Sequence, residues 1–512
     1  MSNGKANVVG AGPNGLVAAA VLAQNGFDVQ VFERNAHPGG AAASGSTLGE
    51  GTIVDLGAAA HPFAYGSPAF AHFDLAGHGL QWDFHDYPLA HPLEGAESVF
   101  LHQSLDATSR QFPADRKIWR LLHGPLVRNP QEILENATSP LLGIPPHPVL
   151  MARLGLRSLP PAKLLAAAAF RTRQAAALFA GSSAHSMLPL AHPFTSGFGV
   201  LFGSLGQSWG WPVAHGGTGS IIDALLRVLD GLRVQIHTGH QITSLAQLPD
   251  AELTFLDATP RQVVQMAGGQ LPPRLRRRFE RWRYGTAAFK VDYLLDGPIP
   301  WQDARTARAG TVHVIGDAAE LAAAEHQVAS GKMPDRPFVM VVQPSSADAS
   351  RAPAGRHVIW SYAHVPQGYA GDAGALIDAQ IERFAPGFRD RIVQRVDTSP
   401  AQLQAWDPNL VGGDIGGGSL SGTQQFFRPS ASLNPYSLGV PGLYLCSSST
   451  PPGGGVHGMA GWHAAHRALR ELGRTWADNQ LPWLPAMDQR YATTWANRAR
   501  AAQANSCNKA FD

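Results

Sequence analysis

Cysteine is nearly absent from this chain of 512 residues: Cys446 and Cys507 are the whole complement. Two thiols give no disulfide framework and no CxxC pattern for redox or zinc chemistry, so a reducing compartment fits. Charge of one sign is lacking too, with 40 Lys and Arg against 38 Asp and Glu. A formal net charge of +2 leaves no electrostatic footprint for nucleic acid. The basic run Arg274-Leu-Arg-Arg-Arg278 reads as a solvated helix face. No uninterrupted apolar stretch reaches the roughly 18 to 20 residues of a membrane span, because Pro, Arg or Lys breaks each candidate. The first strand signal follows Met1 so closely that no signal peptide fits before it, and a cytoplasmic protein is expected. The histidines, among them His61, His192, His215 and His463, fall without metal-ligand spacing, so no metal site is read. Internal repeats and low-complexity linkers are missing as well.

What is present is apolar and glycine-rich. With 44% hydrophobic and 15% charged residues the chain is too apolar for disorder and long enough for two cores. Its N-terminal segment reads Asn7-Val-Val-Gly-Ala-Gly-Pro-Asn-Gly15, and Glu33 ends the next apolar run, Val29-Gln-Val-Phe-Glu33. Gly10 suits the tight turn after a strand, Gly12 a close backbone approach to a pyrophosphate, and Gly15 close packing of helix on strand. The helix Leu16 to Ala23 would aim its unpaired N–H groups at the phosphates, Gly26 would end it, and Glu33 would accept the ribose hydroxyls. Strand, loop, helix, strand and acid in this order specify a dinucleotide, with NAD(P) and FAD both open.

Alternation of strand and helix signals divides the chain into interleaved parts. Residues up to about Tyr65 read as strand, helix and strand, followed by a loop around Gly39-Gly40. From Ser67 to Trp209 the pattern is helical and loop-rich. Strands are then expected at Arg233–Ile236 and Glu252–Leu256, with a helix at Ile221–Leu229 before them. Ala288–Leu295 and Pro337–Val342 would belong to a second sheet, and Gly442–Cys446 leads into a last loop and helix. The expected organisation is a nucleotide-binding domain of 1–66, 210–260 and 408–475, a smaller α+β substrate domain of 67–209 and 261–407, and a C-terminal surface helix and tail over 476–512. The segment Leu141 to Phe170 mixes Leu, Ile, Met and Ala with Arg153, Arg157 and Lys163. That composition suits either a peripheral contact with a membrane surface or an Ala/Leu helix pair covering a pocket.

A second glycine loop, Ser447-Ser-Ser-Thr-Pro-Pro-Gly-Gly-Gly-Val456, stands between a strand and a helix. A single NAD has no need of it. A flavin gathers negative charge on its pyrimidine carbonyl when reduced, which a helix N-terminus stabilises. With Glu33-Arg34, Gly39-Gly40, Val54-Asp-Leu-Gly57, Gly210-Trp-Pro-Val-Ala-His-Gly-Gly217, Asp257-Ala-Thr-Pro260 and the run Leu443 to Met459, the chain resembles the FAD-dependent phytoene-desaturase and amine-oxidase superfamily. Within it the chain is most similar to the phytoene dehydrogenase-related branch, also called pyridine nucleotide-disulphide oxidoreductase domain 2 proteins. The resemblance implies an α/β fold in which a Rossmann-like FAD-binding domain is interleaved with the substrate domain.

It also implies which residues meet FAD. Gly10, Gly12, Pro13, Asn14 and Gly15 would face the pyrophosphate, Glu33 and Arg34 the adenosine end, and Gly39, Gly40, Ala41 and Ala42 the stretch towards the ribityl chain. Ile242 matches a position whose backbone meets adenine, Gly57 and Ala58 fall beside the isoalloxazine, and Ser448, Gly455, Val456 and His457 fall at the ribityl chain and pyrimidine edge. Ser447 and the run Gly416-Gly-Gly-Ser419 depart from the family pattern, the second bearing on pocket shape. Lys290, inside the apolar strand Phe289 to Leu294, matches a lysine that amine-oxidase relatives place near the flavin N5; a strand-edge lysine facing solvent is its alternative. His457 stands near the flavin by position, as a catalytic or a packing histidine. Trp209, Trp211, Phe194, Phe198 and Phe202 are candidates for core or for the walls of an apolar pocket. The expected activity is hydride removal from an apolar or amphipathic small molecule, with dioxygen or a quinone as electron acceptor. Amine oxidation, double-bond isomerisation without net oxidation, and a non-catalytic partner-binding role are its rivals.

Overall fold

The glycine motif leaves the C-terminal end of the strand Lys5–Val9, the middle one of five parallel strands. Across this sheet the order is Leu443–Leu445, Leu253–Leu256, Lys5–Val9, Asp28–Phe32 and Gln235–His237. Both faces are covered, as a parallel sheet requires, and Ala6, Val8, Val29 and Val31 are buried. The computed structural model describes residues 4–473, which form one compact unit. The surface helix and tail expected over 476–512, with Cys507, lie outside the described residues.

Helix Pro13–Gln24 starts directly from the loop, with Pro13 presetting the first helical φ and Gly12 offering no side-chain cap. It runs between helices Gly219–Gly231 and Met459–Glu471. Contact with the latter is so close that a Cβ at Gly461 would collide with the Asn14 carbonyl oxygen. A second sheet has seven strands in the order Ile392–Thr398, Ala287–Leu295, His357–Val365, Val339–Val342, Ala309–Val314, Tyr87–Leu93 and Ala96–Leu101. Its neighbours are antiparallel except for Ala309–Val314 on Tyr87–Leu93.

Two of these strands correct the sequence expectation, which gave the whole stretch from Ser67 to Trp209 to helices and loops. Tyr87-Pro-Leu-Ala-His-Pro-Leu93 carries two prolines, residues that cannot donate to a ladder. The structure accommodates Pro92 at a register shift between His91 and Leu93, where a bulge removes the need for its N–H. Smaller differences are those of element ends: the expected strand Arg233–Ile236 is Gln235–His237, and the last helix begins at Met459, three residues after Val456.

The remainder of the Ser67 to Trp209 stretch is helical. Helix Thr195–Ser208 lies at the centre of a bundle formed with Arg116–Val127, Pro148–Ser158, Ala162–Ala169 and Arg173–Ala184. Its glycines permit this crowding: a Cβ at Gly203 would sit 2.8 Å from the His123 ring. No helix among the described residues is long and apolar enough to cross a membrane.

A buried ion network ties a loop of the second sheet to the start of helix Gly219–Gly231, which packs on Pro13–Gln24. Arg351 has no solvent exposure and donates from Nη1 to Asp55 Oδ2 at 2.9 Å, from Nε to Asp348 Oδ2 at 2.9 Å and from Nη2 to the Ala214 carbonyl at 2.8 Å. Asp55 Oδ1 accepts from Thr218 N at 2.7 Å and Ser44 Oγ at 2.9 Å. Removing the cation leaves two carboxylates buried without their partner. Arg351→Met is therefore expected to cost about 3–5 kcal/mol in urea unfolding, whereas Arg110→Met, at an exposed pair with Asp106, should cost less than about 1 kcal/mol.

Candidate functional site

One cavity of about 530 Å³ is walled by both sheets. Its first part is lined by the C-terminal ends of the parallel strands, through Val9, Phe32 and Asp257, and by the loops that leave them. Gly10 adopts φ +99°, the left-handed region that a side chain would strain, and its N–H donates to the Phe32 carbonyl at 2.9 Å. A Cβ on Gly12 would lie 2.9 Å from Asp257 Oδ2, and one on Gly15 would run into the Gly10 carbonyl oxygen. The tight turn at Gly10 and the close packing at Gly15 are those that the spacing predicts, and at Gly12 the crowding neighbour is the Asp257 carboxyl.

Glu33 is buried beside this loop, where its Oε2 accepts from Ala11 N and its Oε1 from Asn35 N, at 2.9 and 2.8 Å. The carboxylate therefore holds the loop in shape while lining the cavity, with lone pairs left for a ligand. Gly39 N donates to the Ala11 carbonyl at 2.9 Å, fastening the second glycine pair to the first loop. Arg34, Gly40, Ala41, Ala42, Gly57, Ala58 and Ile242 all line the cavity, as do Gly12, Pro13 and Asn14. Gly15 and Gly39 stand behind the lining.

Ser448, Gly455 and Val456 close the cavity from the other glycine loop. Buried Arg428 pins this loop, its Nη2 donating to the carbonyls of Ser448, Gly416 and Gly417 at 3.0 to 3.2 Å. The departure at Gly416 to Ser419 has a packing reason: side chains at Gly417 and Gly418 would collide with Ser448 and the Trp282 ring. His457 is placed otherwise than a ligand-facing group. It is buried, it is not among the lining residues, and its Nδ1 accepts the Met459 N–H at 3.0 Å, capping the first turn of Met459–Glu471. Burial pushes its pKa down to about 4, so it stays neutral.

The second part of the cavity is built by strand pairing. Lys290, Tyr362, Met340 and His313 are successive register partners across four adjacent strands, and alternation puts them on one face of the sheet. Lys290, Tyr362 and Met340 line the cavity with Ala288, Thr311 and Trp360. Lys290 is buried in a strand paired on both sides, so the solvent-facing edge position is excluded. Its Nζ pairs with Asp292 and lies 5.9 Å from the Trp360 ring. Burial drives the lysine pKa down against the pull of Asp292, whose own carboxyl burial raises to about 6. Of the expected aromatic cluster, Phe202 and Trp211 reach the cavity, Phe198 stacks on Phe202, Phe194 meets Phe426, and Trp209 is buried against Tyr65.

Two lining groups, His185 and Asp257, were given no site role from sequence. His185 contacts His313 through their Nε2 atoms at 3.0 Å, and burial lowers both rings far enough that one neutral imidazole must donate to the other. Asp257 accepts the Gly15 N–H at 3.0 Å, so a carboxyl stands at the helix N-terminus. Burial, then the neighbouring Asp407 and Glu33, pushes it up to about 7. His215, isolated in sequence, is brought beside Asp83 and Asp348, but its Nδ1 donates to Asp83 at 2.7 Å while Asp348 is engaged by Gly216 N and Arg351.

Comparison with known proteins follows this geometry. A family model described as an NAD(P)-binding Rossmann-like domain matches residues 8–75. The pyridine nucleotide-disulfide oxidoreductase domain-containing protein 2 of Rattus norvegicus is 27% identical, over 91% of this chain and 93% of its own. The superfamily resemblance holds along nearly the whole chain. An oxidoreductase from Methanosarcina mazei shares the fold with a TM-score of 0.62 at 16% identity, over 91% of this chain and all of its own. Cyclohexylamine oxidase from Brevibacterium oxydans shares it at 0.57 and 14%, over 92% of this chain and 100% of its own. The chain is similar to these oxidoreductases along nearly its whole length, and its cavity suits a flavin or nicotinamide dinucleotide.

The Asp257 carboxyl sets a pH dependence. Its native pKa lies above the unfolded value of 3.8, so the cofactor-free protein holds this proton more tightly than the unfolded chain and loses stability as pH rises from about 4 to about 7. Asp257→Asn keeps an acceptor for Gly15 N and has no such loss. Denaturant unfolding of both proteins between pH 4 and 8 should give a stability difference that grows in favour of the variant through that window and levels off above it. Gly15→Ala, tested by cofactor retention on gel filtration, should lose binding by about tenfold or more.

Proposed function

We propose that the protein is an FAD-dependent oxidoreductase that takes a hydride from an apolar or amphipathic small molecule. The observation carrying this reading is the continuity of the cavity, whose glycine-lined part, closed by two separate loops, opens into a chamber walled by Phe202, Trp211, Met340, Trp360 and Tyr362. A dinucleotide of the nicotinamide type has no use for the second loop, whereas an extended flavin dinucleotide uses both. When bound, FAD would supply the hydride acceptor.

The chain's own residues do the rest. The N-terminus of Pro13–Gln24 and its loop meet the pyrophosphate, Glu33 the ribose hydroxyls, and the Ser448 to Val456 loop the far end of the cofactor. The aromatic and thioether walls orient an apolar substrate and keep water out. Lys290, a lining residue, would hold a water hydrogen-bonded to its Nζ. Segments 1–66, 210–260 and 408–475 would carry the cofactor and the intervening ones the substrate. Dioxygen or a quinone would take the electrons onward.

Amine oxidation is the second reading, favoured by the Trp360–Tyr362 pair, whose rings stand 5.2 Å apart at 77° inside the cavity. Anaerobic mixing of the FAD-loaded protein with polyenes and with amines separates the readings by flavin bleaching. Bleaching by apolar substrates alone is expected; bleaching by amines alone supports the second reading, and polyene isomerisation with the flavin still oxidised would overturn both. Lys290→Met should slow flavin reduction or reoxidation by about tenfold or more, and unchanged rates in both half-reactions would remove the lysine from the account.

A further inference from the structure

The helical block carries an apolar surface that nothing among the described residues covers. Leu121, Ile144, Val149, Leu156, Leu159 and Leu164 are 53–93% exposed. They are not scattered. Helix Pro148–Ser158 buries Leu150 and Leu154 against the bundle, and turns Val149, Ala152 and Leu156 outward at helical spacing, with Leu159 following. This helix is thus apolar on two faces, where a surface helix of a water-soluble protein is polar on one. Arg157 brings Leu121 to the same region, since its Nη2 and Nε donate to the Leu121 and Leu122 carbonyls, each at 3.0 Å. Leu164 belongs to the next helix, Ala162–Ala169, which also exposes Ala167 and Ala168.

Charge on the helices Pro148–Ser158 and Ala162–Ala169 has one sign. From Asn136 to Ile222 the sequence contains no Asp or Glu, while Arg153, Arg157, Lys163, Arg171 and Arg173 fall within it. Arg153 and Lys163 are exposed and have no carboxylate partner among the described residues. The nearest acids in sequence, Glu132 and Glu135, face His147 instead. An apolar face whose own two helices carry cations and no acids complements a surface that offers hydrocarbon and negative headgroups together. A second protein copy would present the same cations to one another.

We infer that this face seats the protein on an anionic lipid membrane. Exposed leucine, isoleucine and valine side chains enter the acyl boundary while Arg153 and Lys163 meet the phosphates. The seat lies one helix away from the cavity: Thr195–Ser208 packs on both patch helices and presents Phe202 to the chamber. That placement suits a substrate held in the bilayer, although binding of lipid does not depend on the proposed chemistry.

Flotation of the full chain with phosphatidylcholine–phosphatidylserine vesicles tests the inference. The wild-type protein should float with these vesicles and be released in part by high salt. The double variant Leu156→Glu/Leu164→Glu should lower the bound fraction about tenfold, and Arg153→Glu/Lys163→Glu should remove the preference for phosphatidylserine over phosphatidylcholine alone. Both should keep the wild-type Tm, since the replaced side chains are at the surface. Absence of wild-type flotation, or flotation unaltered in both variants, would overturn the inference. So would a dimer on gel filtration that the leucine variant splits while vesicle binding is nil, which would assign the face to a second copy.

Discussion

Arg351 is the constraint on which the arrangement of the two sheets depends. Its guanidinium reaches Asp348 in the loop after Val339–Val342, Asp55 in the short ladder Ser44–Gly45/Val54–Asp55 and the Ala214 carbonyl just before helix Gly219–Gly231, all without solvent. Two buried carboxylates around one buried cation tolerate little displacement, because each lost hydrogen bond leaves a charge in a poor dielectric. Asp55 also orients Thr218 N and Ser44 Oγ, and the adjoining Leu56, Gly57 and Ala58 line the cavity. The network therefore ties the sheet bearing Lys290 to the Leu56–Ala58 segment of the cavity wall.

The cavity repeats the same logic with fewer charges. Its glycine-lined part is surrounded by backbone N–H groups and by carboxyls, Glu33, Asp257 and Asp407, which burial holds in tight hydrogen-bonded positions. Its chamber is aromatic and aliphatic, with Lys290 against Asp292 as the charged pair and the His185–His313 contact as a neutral one. Such a division suits a long ligand that is polar over most of its length and reactive at an end shielded from water.

The glycine motif was legible because its function is local: Gly10, Gly12 and Gly15 are demanded by contacts within a few residues or with the adjoining strand. Strands such as Ala287–Leu295 were legible from apolar length. Tyr87–Leu93 was not, since prolines hide a strand whose bulge comes only with its partner. The chamber was legible at Lys290 and, as candidate walls, at Phe202 and Trp211. Tyr362 and Met340 become neighbours of Lys290 through antiparallel register, and the alternation of Trp360, Tyr362 and His364 along one strand was the available signal. His457 shows the converse, a motif residue whose side chain serves the helix behind the loop. Arg351 has one local partner, Asp348, but its role was hidden because Asp55 and Ala214 lie 296 and 137 residues away.

The central claim is that one cavity holds FAD along both glycine loops. The most direct measurement is the visible spectrum of the full chain after incubation with equimolar FAD and removal of free ligand. The account predicts a yellow protein with near-stoichiometric flavin and a spectrum shifted from that of free FAD. A colourless protein from which all FAD is washed away, under conditions where NAD or NADP is retained, would contradict it.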